Sequence, residues 1–179
     1  MSPESAHGTG DAGGTLHGLR LATAADLPAI VAIYNATIPS RLVTADLEPV
    51  TVASREAWFA AHQRAERPLW VLEREGVLAA WLSYSSFYGR PAYDGTAEIS
   101  VYVAEWQRRR GLGGALVDEA VRRAPGFGLH TLLGFIFGHN APSLALFEAR
   151  GFARWGTLPR VAELDGTGRD LVIVGLRVG

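Results

Sequence analysis

The sequence contains neither cysteine nor lysine: none of its 179 residues is Cys, and all 17 basic residues are arginine. The first absence excludes disulfides, a thiolate nucleophile, Cys-ligated zinc and iron–sulfur clusters. The second excludes a lysine Schiff base and the lysine of a P-loop. Covalent catalysis would therefore have to use a hydroxyl, carboxylate or imidazole side chain.

The sequence also lacks an excess of positive or negative charge, and it lacks long apolar runs. The 17 Arg residues oppose 18 Asp and Glu, so the net charge is −1, which gives no general attraction for nucleic acid or an anionic membrane. No apolar run reaches the roughly 18 residues that a membrane-spanning helix needs. Residues 1–18 are rich in glycine and lack a signal-peptide pattern, so we expect a disordered tail, one domain over 19–179 and a cytoplasmic location.

Apolar periodicity along the chain predicts the element order βααβββαβαββ, a mixed α/β sheet with helices on both faces. In the strand predicted over Thr96 to Val103, even-numbered residues from Glu98 to Tyr102 share one face, and odd-numbered residues lie on the other. The last two strands are predicted over Phe152 to Leu158 and Leu171 to Val178. His62, His130 and His139 have no partner at metal-ligand spacing, so no metal is expected.

The stretch Gln107-Arg-Arg-Arg-Gly-Leu-Gly-Gly114 joins a predicted strand to the start of a helix. Unpaired N–H groups and the positive end of the helix dipole favour anions there, and glycines allow the backbone to approach a pyrophosphate closely. Walker A requires a lysine, and the dinucleotide pattern would meet Leu116 where its third glycine belongs. The pattern Arg108-x-x-Gly111-x-Gly113 remains.

This pattern, placed after Val101-Tyr-Val103, resembles the acetyl-CoA signature of the GNAT superfamily of N-acetyltransferases. Other segments resemble its phosphinothricin and methionine sulfoximine acetyltransferase branch, namely Ile33-Tyr34-Asn35, Glu48-Pro49-Val50, Arg55-x-x-Trp58-Phe59, Arg90-Pro91-Ala92-Tyr93, Asn140-Ala-x-Ser143 and Phe147-Glu148-x-x-Gly151-Phe152. The resemblance covers about residues 19–178.

The resemblance implies a GNAT-like central sheet that splays between the strand ending at Val103 and the strand ending near Phe137. The pantetheine arm of acetyl-CoA would lie in that gap, and the N–H of Val103 would lie near the thioester oxygen. The residues that the resemblance implies for acetyl-CoA binding are Val101, Tyr102, Val103, Arg108, Arg109, Arg110, Gly111, Leu112, Gly113, Gly114, Asn140 and Ser143.

The resemblance also implies roles toward the acceptor. Glu98 would be the catalytic base, which is needed because a protonated amine cannot attack a thioester. Arg90 and Tyr93 would contact the substrate, although a surface arginine and a packed ring are the alternative interpretation. Phe147 stands where the superfamily often has a tyrosine acid, so the thiolate would take its proton from water or another group.

The function predicted on these grounds is acetyl-CoA-dependent N-acetylation of a small amino-acid-like substrate by direct transfer in a ternary complex. The lack of Cys argues against a thiol acyl-enzyme. The alternatives are a polyamine or protein N-terminal acetyltransferase, and a non-catalytic acyl-CoA-binding module. The resemblance implies a homodimer, and we expect no metal, nucleic acid or membrane partner.

Overall fold

A computed structural model describes residues 16–179 of the chain and has the predicted order of elements. The strands are β1 (Leu19–Leu21), β2 (Leu69–Arg74), β3 (Val77–Ser86), β4 (Thr96–Val103), β5 (Thr131–Phe137), β6 (Ala153–Leu164) and β7 (Thr167–Arg177). The helices are α1 (Leu27–Asn35), α2 (Val52–Ala61), α3 (Leu112–Arg123) and α4 (Ala141–Glu148).

The predicted tail lies for its greater part outside the described residues. Its last three residues, 16–18, form a turn that leads into β1. The amide of Glu73 donates to the carbonyl of Gly18 at 3.0 Å, so this turn is attached to β2.

The seven strands form one sheet in the order β1-β2-β3-β4-β5-β7-β6. Every neighbouring pair is antiparallel except β4 and β5, which are parallel. That parallel ladder is short, since it pairs only residues 96–98 of β4 with residues 131–133 of β5. Beyond it the two strands separate, and the predicted splay of the sheet is confirmed.

Two cores lie on opposite faces of the sheet because side chains alternate along each strand. Val71 and Trp81 pack in one core with residues of α1 and α2. Leu72 and Leu82, their chain neighbours, pack in the other core with residues of α3 and α4. The predicted mixed sheet with helices on both faces is therefore confirmed.

The final hairpin is longer than the sequence pattern indicated. Its strands run to Leu164 and from Thr167, so only Asp165 and Gly166 lie in the turn, both with positive φ. The prediction stopped early because Pro159 interrupts the alternation. A bulge absorbs this interruption: the β6–β7 register shifts between Leu158 and Ala162, and the amide of Arg160 donates to Asp170 Oδ1 at 2.8 Å.

Candidate active site

The gap between β4 and β5 exposes one edge of β4. Ala104 N–H donates to the carbonyl of Ala79 on the β3 side at 2.8 Å. Because backbone groups alternate along a strand, those of Val101 and Val103 point away from β3 and into the gap. The gap is thus bordered by a strand edge that an extended ligand could pair with.

A narrow cavity of about 60 Å³ lies in this gap. Its lining comprises residues of β4 and β5 together with residues from α4 and the segment before α2, namely Val43, Glu98, Ile99, Ser100, Val101, Tyr102, Gly134, Phe135, Ile136, Asn140, Ser143 and Phe147. The structure therefore brings Val101, Tyr102, Asn140 and Ser143 together there.

The turn over residues 108–114 has a backbone conformation that exposes its amide groups. Arg109 has a φ of 61° and Gly111 a φ of 78°, so two left-handed residues lie within three positions at the start of α3. Such alternation turns successive N–H groups toward one side, in a concave arrangement that binds anions. Arg108, Arg109 and Arg110 are exposed, and within residues 16–179 none of the three forms an ion pair.

Asn140, which was predicted to contact acetyl-CoA, already has hydrogen-bond partners within the protein. Its Oδ1 accepts from the amide of Ser143 at 3.2 Å, which caps α4, and its Nδ2 donates to the carbonyl of Leu42 at 2.9 Å. The side chain thus ties the segment before Val43 to the start of α4. One amide hydrogen is left for a ligand in the gap.

The opposite face of β4 carries a larger cavity, which we call the aromatic cavity. It lies between the sheet and helices α1 and α2, and its volume is about 200 Å³. Besides apolar residues, its lining comprises four aromatic rings, three serine hydroxyls and two charged side chains, namely Tyr34, Trp58, Trp81, Tyr102, Ser83, Ser85, Ser100, Arg55 and Glu98. Register explains part of this set: Trp81, Ser83 and Ser85 of β3 lie opposite Tyr102, Ser100 and Glu98 of β4.

Glu98 is the last residue of β4 that pairs with β5, and it lines both the gap and the aromatic cavity. Burial raises the pKa of its carboxyl above 4.5. No hydrogen bond or ion pair within the described part of the chain occupies this carboxylate. A half-buried carboxylate without a partner is a suitable proton acceptor for a ligand in either space.

A buried histidine lies behind the aromatic cavity. His62 Nδ1 donates to the carbonyl of Trp58 at 2.7 Å, so in the neutral ring Nε2 is the acceptor. That nitrogen accepts the hydroxyl of Ser85 at 3.2 Å. Burial lowers the pKa of His62, which favours the neutral form.

A polar cluster lies at the Arg55 side of the cavity. Arg55 Nη2 donates to Asp46 Oδ2 at 2.9 Å, and the hydroxyl of Tyr34 donates to the same oxygen at 2.5 Å. The guanidinium also covers the ring of Tyr34, with Cζ 4.6 Å from its centroid. These contacts hold Arg55 in one position.

Arg90 and Tyr93 do not line either cavity. They lie with Tyr88 around a separate pocket, so their contact with an acceptor stays a prediction. Sequence reasoning missed Trp81 and the three serines as site residues. The signal was present in the alternation of β3, but it required the register of β3 against β4.

His130 and His139, the other two histidines that the sequence analysis considered as metal ligands, have structural contacts. His130 Nδ1 lies 3.0 Å from Thr131 Oγ1, and His139 Nε2 donates to the carbonyl of Arg41 at 2.8 Å. Over residues 16–179, no three His, Asp or Glu side chains are grouped as metal ligands. None of the helices in that range is long and apolar enough to cross a membrane.

Comparison with known proteins agrees with this geometry. The family model of the "Acetyltransferase (GNAT) family" matches residues 30–152. The chain is 56% identical over 158 residues to "Putative phosphinothricin acetyltransferase YwnH" of Bacillus subtilis strain 168, covering 88% of this chain and 96% of that protein. It is 35% identical over 161 residues to the "L-methionine sulfoximine/L-methionine sulfone acetyltransferase" of Pseudomonas aeruginosa, covering 89% and 94%.

A solved structure shares the fold. A GNAT superfamily phosphinothricin acetyltransferase from Sinorhizobium meliloti, in complex with AcCoA, superposes with a TM-score of 0.85 at 29% identity, covering 90% of this chain and 88% of that one. The chain belongs to the GNAT family of acetyltransferases. The predicted family, fold class and enzyme class are thereby confirmed, and a non-catalytic binding module is no longer favoured.

Proposed function

We propose that the protein transfers the acetyl group of acetyl-CoA to the amino group of a small amino-acid-like acceptor, of the phosphinothricin or methionine sulfoximine type. The position of Glu98 carries the proposal, because this carboxylate lines both cavities at the point where the sheet opens. A donor in the gap and an acceptor in the aromatic cavity meet there. The names of these relatives support this acceptor class.

Acetyl-CoA is bound by backbone groups more than by side chains. The free edge of β4 at Val101 and Val103 pairs with the pantetheine arm, and Asn140 and Ser143 contact the arm from the other side of the gap. The amides of residues 109–114 hold the pyrophosphate at the start of α3, and the three preceding arginine side chains add positive charge.

The reaction is a direct transfer. Glu98 accepts a proton from the acceptor ammonium, and the free amine attacks the thioester carbonyl. The N–H of Val103 stabilises the negative charge that develops on the carbonyl oxygen. The C–N bond forms, the C–S bond breaks, and the CoA thiolate is protonated from water or from the second amine proton. No acyl-enzyme is formed, and the absence of cysteine agrees with this.

The aromatic cavity favours a small zwitterion over the alternative acceptors. Its volume is below the roughly 300–1,000 Å³ of pockets for drug-sized ligands, which suits an acceptor of amino-acid size. Its lining has one cation and one anion, Arg55 and Glu98. A polyamine would require more than one acidic group.

An acceptor panel tests the function. We expect thiol release from acetyl-CoA, with the acetylated product seen by mass spectrometry, for L-methionine sulfoximine, L-methionine sulfone and phosphinothricin. Spermidine and a peptide with a free N-terminus should react much more slowly. Preference for either of these two would overturn the acceptor class, and no thiol release with any acceptor would overturn the function.

We also propose a homodimer and a cytoplasmic location. The exposed apolar side chains Trp155, Leu158 and Val161 on β6 support the dimer, because a long apolar edge region is a typical contact surface. Light scattering should give twice the mass of 19.2 kDa. Cell fractionation tests the location, which rests on the use of acetyl-CoA inside cells.

A further inference from the structure

We infer that Arg55, and not Arg90, binds the acidic group of the acceptor, in an anion subsite of the aromatic cavity. This inference rests on the proposed function, since it assigns one end of the acceptor whose amine lies at Glu98. The family resemblance pointed to Arg90, whereas the positions of the two arginines in the structure favour Arg55.

The two arginines lie in different pockets. Arg55 lines the same cavity as Glu98, whereas Arg90 lies in a separate pocket with Tyr88 and Tyr93. No ion pair joins Arg55 to Glu98 in the part of the chain that the structure describes. Arg55 is paired with Asp46 and keeps further N–H donors, whereas the Glu98 carboxylate has no partner among residues 16–179, so these two groups of the lining are not paired with each other. A zwitterion with its ammonium at Glu98 and its carboxylate at Arg55 satisfies both.

Arg55 also has N–H donors that no residue of the described chain occupies. A guanidinium has five N–H donors, and Arg55 uses one of them, toward Asp46. Its side chain is 26% exposed, compared with 41% for Asp46, so the arginine is the more enclosed partner. Its position over the ring of Tyr34 prevents free rotation, so the remaining donors are preorganised for an anion.

A paired-acceptor assay tests the subsite. The acceptors are L-methionine sulfone and 3-(methylsulfonyl)propan-1-amine, which differ only in the carboxylate. Wild type should prefer the amino acid in kcat/KM. Arg55→Gln should reduce that preference by about 10- to 150-fold, which corresponds to the loss of a charge-assisted hydrogen bond. Arg55→Lys keeps the positive charge but loses the bidentate donors of the guanidinium, so it should reduce the preference for the amino acid less.

Two other variants complete the design. Arg64→Gln makes the same exchange at an exposed arginine just beyond α2 and should keep the wild-type preference. Arg90→Gln should keep it as well. An equal loss with both acceptors in Arg55→Gln would identify a structural role, and loss of the preference in Arg90→Gln would move the anchor to the loop before β4. Either result overturns the inference.

A binding measurement separates this inference from the proposed function. Trp58 and Trp81 line the cavity, so methionine sulfone binding can be followed by tryptophan fluorescence without acetyl-CoA. Weaker binding to Arg55→Gln than to wild type supports the subsite even if no acceptor is acetylated. Equal binding to both overturns it even if wild type acetylates methionine sulfone.

Discussion

Ser85 lies directly opposite Glu98 in the antiparallel ladder of β3 and β4, so their side chains are neighbours on the face of the aromatic cavity. The hydroxyl of Ser85 is directed to Nε2 of the buried His62. A neutral histidine thus fixes the donor direction of a serine beside the proposed base. Burial lowers the pKa of His62 and raises the pKa of Glu98, so the two groups change the free energy of unfolding with pH in opposite directions. Their contributions to stability can therefore be measured separately.

His62 should contribute to stability in a pH-dependent way. Burial lowers its pKa below 6.5, so the unfolded chain binds the proton more readily. The contribution of His62 to the free energy of unfolding should therefore increase as the pH rises to about 6.5 and stay constant above that value. It should be lost as the pH falls below about 6.5. His62→Gln does not titrate and should show a smaller slope. Urea unfolding between pH 5 and 7.5 measures the difference, and equal slopes would contradict a neutral buried imidazole.

Glu98→Gln should lower kcat by about 10²–10⁴-fold, since it removes a proton acceptor and keeps the shape of the side chain. Affinity for acetyl-CoA, measured by calorimetry, should change little. Because the pKa of Glu98 is raised, the acid limb of kcat/KM in the wild type should lie above pH 4.5. A variant with wild-type turnover would show that another group or solvent takes the proton.

The same substitution should stabilise the protein at neutral pH. Burial penalises the charged carboxylate, so the folded chain binds the proton more tightly, and the free energy of unfolding falls as the pH rises from 4.5 through the raised pKa. Glu98→Gln removes this penalty. Its Tm should exceed that of wild type at pH 7.5 and approach it near pH 4; a lower Tm at pH 7.5 would contradict the burial penalty.

The sequence predicts the turn that precedes α3 well because its signals are local. A strand, a turn with Gly111 and a helix start are contiguous in the chain, and backbone amides need no distant partner. The separation of β4 from β5 followed only from the family resemblance. Nothing in the residues themselves shows that the parallel ladder ends at Glu98 and Leu133.

The lining of the aromatic cavity was less predictable because it brings together residues that are far apart in the sequence. Trp81 and Ser83 enter the cavity through the register of β3 with β4, and Arg55 enters it from α2. The family resemblance suggested a substrate contact for Arg90, in the loop before β4. In the structure Arg90 lies instead with Tyr88 and Tyr93 around another pocket.

Gly111→Val should weaken acetyl-CoA binding by about 5- to 30-fold. A Cβ at Gly111 would meet no atom within 4 Å, so neighbouring side chains do not exclude it. The penalty is instead conformational: a φ of 78° costs a non-glycine residue about 1–2 kcal/mol and a β-branched one more, so the turn of the free protein relaxes, and acetyl-CoA must restore the strained conformation to bind. Gly111→Asn, which tolerates this conformation, is the matched control and should keep most of the affinity in calorimetry. Equal losses in both would instead indicate crowding of the phosphates by any side chain.

Asn140 combines two contacts that a pair of substitutions can separate. Asn140→Ala loses the cap of α4 and the donor to Leu42, and should lower the free energy of unfolding by about 1–2 kcal/mol. Asn140→Ser keeps an oxygen that can cap α4 but cannot donate to Leu42, so its loss should be smaller. Chemical unfolding measures both. Since Val43 and Asn140 border the gap together, both variants should also bind acetyl-CoA more weakly. If calorimetry gives wild-type affinity for both, Asn140 serves the fold alone, and the arm is held by the edge of β4 without it.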